Sequence, residues 1–168
     1  MSEPLEFRAL QALQAALQGV AGAGYYYDLA ASAVKLDPDQ GVDELLEAFG
    51  PRPYVILEVT PDRWAYNYGA DQVKVVLPVT VHWVHEPTRT SDQMLGEPES
   101  AHDADRLQVF WRGCADVERA IGRDVHLGGL VTDTRILNRR WVPSEQDSQR
   151  IWAAIETEIT LHRTYGQP

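Results

Sequence analysis

Apolar residues return at helical or strand spacing along most of this 168-residue chain. Leu10, Leu13, Leu17 and Val20 recur at steps of three and four. That stripe predicts an amphipathic helix from about Glu3 to Val20, with Ser2 as N-cap and Pro4 in the first turn. The run Gly19-Val20-Ala21-Gly22-Ala23-Gly24 ends it. Tyr25-Tyr26-Tyr27 is β-prone and predicts a short strand or extended segment. Asp43-Glu44-Leu45-Leu46-Glu47-Ala48-Phe49 predicts two helical turns, closed by Gly50-Pro51. Tyr54–Val59 reads as a buried strand. After a turn at Pro61-Asp62, Trp64, Tyr66 and Tyr68 alternate as one face of a hairpin arm. In the strand Val73–His85, the residues Val73, Val75, Leu77, Val79, Val81 and Trp83 share a face. Pro78 lacks a ladder donor, which predicts a bulge or an edge there.

Glu86–Asp105 reads as a long irregular connection with six acids and one arginine. A second helix follows from about Asp103 to Arg123, with Leu107, Phe110, Trp111, Cys114, Val117 and Ile121 as a wide apolar stripe. Gly128-Gly129 marks a turn, Val131–Trp141 a strand, Pro143-Ser144 another turn, and Ile151–Arg163 the last strand. These elements predict an α+β fold: a two-layer sandwich whose mainly antiparallel, mixed sheet carries two long amphipathic helices on one face. One domain over residues 1–168 is expected, with the acidic loop at 86–105.

The hydrophobic share of 44% suits a globular chain that can bury a core of its own. The net charge of −10 argues against wrapping nucleic acid or binding anionic membranes. With Cys114 alone, an intrachain disulfide and a cysteine metal cage are excluded. MSEPLEFRAL has neither a basic nor an apolar leader region, and no apolar run reaches membrane-spanning length. The expectation is a soluble protein folded in a reducing cytosol.

The chain contains no phosphate-binding loop, GxSxG elbow, HExxH or CxxC motif. Gly22-Ala23-Gly24 follows a helix instead of a strand, which disqualifies it as a dinucleotide loop. His82 and His85 form the single close histidine pair, yet residues three apart on a strand point to opposite faces. Cys114 sits on an apolar stripe and reads as a small core residue. The acidic stretches lack the spacing of a calcium loop. No enzyme activity, cofactor or metal is expected. Interface-type residues are abundant instead. Arg135, Arg139 and Arg140 cluster near the end of one strand, and Trp64, Tyr66, Tyr68, Trp141 and Trp152 read as exposed aromatics. Arginine pairs bidentately with carboxylates, of which this chain has a surplus, so these residues are expected at a subunit or partner interface.

The second half resembles the tail terminator (tail completion) proteins of long-tailed bacteriophages. The resemblance is carried by the helix end Val117-Glu118-Arg119-Ala120-Ile121-Gly122-Arg123-Asp124, by Leu127-Gly128-Gly129-Leu130-Val131, and by the close Thr160-Leu161-His162-Arg163-Thr164-Tyr165-Gly166-Gln167-Pro168. The first half agrees in layout: amphipathic helix, Gly24-Tyr25 turn, acidic loop, strand after Pro53, long valine-rich strand. The resemblance implies a subunit of a hexameric ring in the virion neck, made in the host bacterial cytoplasm. That ring caps the tail tube protein, ends its polymerisation and meets the head connector or stopper protein. Genomic DNA would pass its lumen without specific binding, since six copies carry −60 and repel phosphate. Subunits of a ring meet heterologously, so each needs two different complementary patches. Glu86–Asp105 and Gly41–Pro51 look longer than a minimal member needs. Three other readings stand beside this one: a related head–tail joining protein, a small metal-dependent enzyme using His82 and His85, and a monomeric binding module using Tyr25–Tyr27, Trp64 and Tyr66.

Overall fold

The structure, a computed structural model, describes residues 3–29, 33–36, 53–85, 99–142 and 150–164. Its elements are α1 (Leu5–Gln18), β1 (Val34–Leu36), β2 (Tyr54–Val59), a 3-10 turn (Pro61–Arg63), β3 (Ala65–Tyr68), β4 (Gln72–His85), α2 (Glu99–Arg123), β5 (Asp133–Trp141) and β6 (Ile151–Thr164). Among the described residues, six strands form one mixed sheet in the order β1-β2-β4-β6-β5, and β3 also pairs with β4. Among the described residues the β1–β2 pairing is parallel and the other pairings are antiparallel. The α+β expectation holds.

The period-two pattern of β4 sets the layers. Val73, Val75, Leu77, Val79, Val81 and Trp83 are all buried in one core. Ile151, Ala153, Ile155, Ile159 and Leu161 of β6 join them, because the β4–β6 register runs unbroken from Gln72↔Thr164 to His85↔Ile151. Both helices pack on this face, α1 through Leu10, Leu13 and Leu17, α2 through Phe110, Cys114, Val117 and Ile121. Each such buried Leu, Ile or Val contributes about 1.5–3 kcal/mol. Gly113 brings α2 down onto the Trp83 ring, and a β-carbon there would lie 2.5 Å from it. On the far face of the sheet, Ala33, Tyr54, Ile56 and Val84 form a second, smaller cluster, with Trp152 against it.

Pro78 makes no bulge. It pairs in register with Glu158, and the β4 edge opposite β6 is shared by two strands: β3 covers Val73–Val76 and β2 covers Val79–Val84. The Gly69 N–H donates to the Gln72 carbonyl, so the backbone groups of residues 72, 74, 76 and 78 face that shared edge. The missing donor of Pro78 therefore falls in the gap between β2 and β3. A bulge lies in β5 instead, between Ile136 and Asn138.

Other boundaries moved. Pro4 stands at the N-cap of α1 instead of within its first turn, and Ser2 lies outside the described residues. Tyr25–Tyr27 is not a strand; its bends leave β1 at Val34–Leu36 as the strand before β2. The last residues of the expected loop 86–105 are helical, since α2 begins at Glu99. Acids at a helix start favour the helix dipole, which explains the extension. Residues 86–98, the expected turns Asp43–Phe49, Gly50-Pro51 and Pro143-Ser144 lie outside the described residues.

Candidate interaction surfaces

The three arginines near the β5 end do not all lie on one face of the sheet. Cross-strand register places Arg135 and Arg140 on the far face of the sheet and Arg139 on the helix face. Each meets a glutamate of its own chain: Arg135–Glu158 at 2.6 Å, Arg139–Glu118 at 2.7 Å and Arg140–Glu156 at 3.9 Å. Such exposed pairs are worth about 0–1 kcal/mol each.

The expected exposed aromatics also divide. Tyr66 and Tyr68 are exposed on β3, with the Arg163 guanidinium over the Tyr66 ring at 5.8 Å. Arg163 in turn lies 3.3 Å from the buried carboxylate of Glu6, which ties the start of α1 to the end of β6. Burial, helped by the nearby Glu6 charge and opposed by Arg163, raises the Tyr66 hydroxyl above its usual value. Trp64, Trp141 and Trp152 are not exposed flags but packing residues. Trp64 lies half-buried against the main core. Trp141 lies against Phe110 at 5.2 Å, with Arg106 over its ring. Trp152 donates its indole N–H to His82 Nδ1 at 3.0 Å.

That last bond decides what His82 can do. An indole N–H only donates, so Nδ1 accepts and Nε2 carries the proton toward Glu58 Oε2 at 2.7 Å. Both ring nitrogens are engaged within the chain. His85 points to the other face, against Tyr27 and Trp83. The pair is split across the sheet, so one ion cannot take both. Among the described residues no group of three or more histidines, cysteines or acids is placed to hold a metal. Cys114 is buried, and burial first, then the Glu118 charge, pushes its thiol up to about 12 against the pull of Arg139. Such a thiol is not a nucleophile near neutral pH.

A surface that sequence reasoning missed lies along α2. Leu107 and Trp111, expected in the core stripe, are 50% and 49% exposed. Phe110 is the first buried side chain described in α2, and Trp111 follows it 100° further around the helix. Leu107 and Trp111 share an open depression of about 620 Å³ with Tyr26, Gln108, Arg112 and Ala115. Beside it, Arg112 lies over Tyr26 at 5.4 Å, while Arg119 and Arg123 lie over Tyr25 at 5.9 and 4.7 Å. Arg139 covers Trp111 from the β5 side at 5.2 Å.

Asp116 holds the tyrosines in place. Its buried carboxylate accepts the backbone N–H groups of Tyr26, at 2.9 and 3.0 Å, and of Tyr27, at 2.8 Å. Burial raises its pKa above the ordinary value, outweighing those bonds and the Arg119 charge. Gly22, at φ 73°, turns the chain into this loop in a conformation that costs a side-chain-bearing residue, and its N–H donates to Asp28 at 2.7 Å.

Tyr25–Tyr27 and the Trp64/Tyr66 arm are not brought together. Tyr27 stacks on Trp83, whereas Tyr66 and Tyr68 pair with Val75 and Val73. Ten residues of β4 separate Val73 from Trp83, about 33 Å at the rise of a strand. The fold and its surfaces thus define an α+β protein in which, among the described residues, the Tyr26/Trp111 and Tyr66/Tyr68 patches lie toward opposite ends of β4. Compared with known proteins, the chain matches no family model and no curated protein. Among the described residues, no helix is long and apolar enough to cross a membrane.

Proposed function

We propose that this protein is a ring-forming structural subunit of the phage tail-terminator type, residing in the virion neck. In this reading copies join head to tail, most simply as a hexamer. The ring caps the tail tube protein, stops its growth and presents a surface to the head connector. The observation that carries the reading is the pair of unlike exposed patches: the Leu107/Trp111/Tyr26 face of α2 and the Tyr66/Tyr68 arm of β3. A closed ring needs two different surfaces per subunit, whereas a symmetric dimer needs one. Tyr, Trp and Arg are also the side chains that dominate interface energies. The sequence resemblance at 117–131 and 160–168 supplies the tail context. The alternative of a metal enzyme built on His82 and His85 is disfavoured by their placement on opposite faces of β4.

The reading is tested by adding the purified protein to polymerising tail-tube protein. Shorter tubes, with a length distribution that narrows as the protein is added, are expected. Tubes that grow to the same length with and without it would sink the proposal.

A further inference from the structure

The α2 face has an unbalanced charge. Arg112, Arg119 and Arg123 are exposed, lie over tyrosine rings, and form no ion pair among the described residues. A guanidinium stacked on a ring keeps its N–H edge available for a carboxylate. Asp116, which feels the Arg119 charge, is buried and already accepts the backbone N–H groups of Tyr26 and Tyr27. The face is therefore basic and aromatic on a chain whose net charge is −10.

The compensating acids are concentrated in the sequence. Residues 37–52, 86–105 and 143–149 hold 13 of the 25 acids and 2 of the 15 basic residues. The rest of the chain has 12 acids and 13 basic residues, close to neutral. Asp43-Glu44-Leu45-Leu46-Glu47-Ala48-Phe49 combines three acids with three large apolar side chains. That is the complement of a depression with Leu107 and Trp111 on its floor and arginines at its side.

We infer that the α2 face is the receiving half of the contact between copies, and that its occupant is the acidic, apolar stretch 43–49 of a second copy of this chain. The inference rests on the ring reading above and deepens it: the stretch 43–49 meets the α2 face between copies, which leaves the exposed Tyr66/Tyr68 arm of β3 for the tail tube or the connector. Arginine and aromatic rings also suit a nucleic-acid strand. The overall negative charge repels such a strand at a distance, which favours the protein partner.

A reciprocal charge swap tests this. In the first variant Arg112, Arg119 and Arg123 become Glu (Arg112→Glu, Arg119→Glu, Arg123→Glu). In the second Asp43, Glu44 and Glu47 become Lys (Asp43→Lys, Glu44→Lys, Glu47→Lys). Sedimentation at low ionic strength compares wild type, each variant alone and an equimolar mixture. Wild type should associate, and added salt should weaken it as the screening length falls from about 30 Å at 0.01 M to 3 Å at 1 M. Each variant alone should associate at least tenfold more weakly. The mixture should recover wild-type association, because each acidic surface then meets a basic one on the other variant. Recovery also shows that both variants fold. Wild-type association by the first variant alone overturns the inference, as does a mixture that stays monomeric while wild type assembles. A wild type that is monomeric to millimolar concentration overturns it too; tube capping by that same protein would leave the ring reading standing. Binding of a single-stranded oligonucleotide that is lost in the first variant would give the face to nucleic acid instead.

Discussion

Gly113→Ala pits two opposed effects against each other at the seam that aims α2. Alanine is the better helix former, worth about 0.8–1.0 kcal/mol over glycine in a helix interior. Against that, its β-carbon would lie 2.5, 2.5 and 2.6 Å from three atoms of the Trp83 ring. Carbon atoms pack at about 3.5–4.0 Å, so the overlap is about 1 Å. Trp83 is fully buried and cannot swing aside as a flexible side chain would, with Tyr27 5.3 Å away between ring centres. Helix and sheet must separate instead, at an overpacking cost of about 1–3 kcal/mol or more. An overlap of about 1 Å with a ring that cannot move puts the cost in the upper part of that range, about 2–3 kcal/mol, so the clash wins with an expected net loss of about 1–2 kcal/mol. For a chain of this size that lowers the melting temperature by about 2–8 °C. Thermal and urea unfolding followed by circular dichroism measure it. The same substitution in a Trp83→Leu background should cost at least about 1 kcal/mol less, because the coupling is local. A Gly113→Ala protein as stable as wild type would refute the close approach of α2 to the sheet.

Asp116 gives a pH signature. Its carboxyl holds a proton to higher pH in the fold than in the unfolded chain, where its value is about 3.9. Its favourable contribution is thus full below the unfolded value and is lost as pH rises through the folded one. The stability of wild type relative to Asp116→Asn should fall from pH 3.5 toward neutrality; a difference that rises with pH would contradict the burial effect. Arg135→Ala and Arg140→Ala should each change stability by less than about 1 kcal/mol in urea unfolding and leave assembly intact, since their partners Glu158 and Glu156 are in the same chain. Loss of assembly in either would return β5 to the interface. His82→Ala should destabilise by about 1–3 kcal/mol by stranding the Trp152 donor. Stoichiometric zinc in the wild-type protein, lost in that variant, would instead revive a metal site.

The layers of this fold were legible because β4 and β6 alternate cleanly and a period of two leaves one choice of buried face. Both helices were legible for the same reason at period 3.6. The Tyr25–Tyr27 loop was not. Its shape is held by Asp116, 90 residues from Tyr26, and no local propensity carries that information. The faces of the three arginines were not legible because they depend on register: Arg135 opposes Glu158 only through the β5–β6 pairing. Trp111 misled because it adjoins Phe110 in a stripe wider than one helix face can bury. A helical-wheel comparison with Phe110, Cys114, Val117 and Ile121 would have set it apart. Leu107 lies at the edge of that stripe, ahead of Phe110, the first buried side chain described in α2, a limit the sequence does not mark.

In the proposed function, copies of this chain close into a ring on the end of a tail tube. Electron micrographs of tail tubes assembled with the protein, averaged down the tube axis, test it most directly. One added ring at a single end of each tube is expected, six-fold in projection and made of this chain. Bare tube ends with the protein left in solution as a monomer would contradict it.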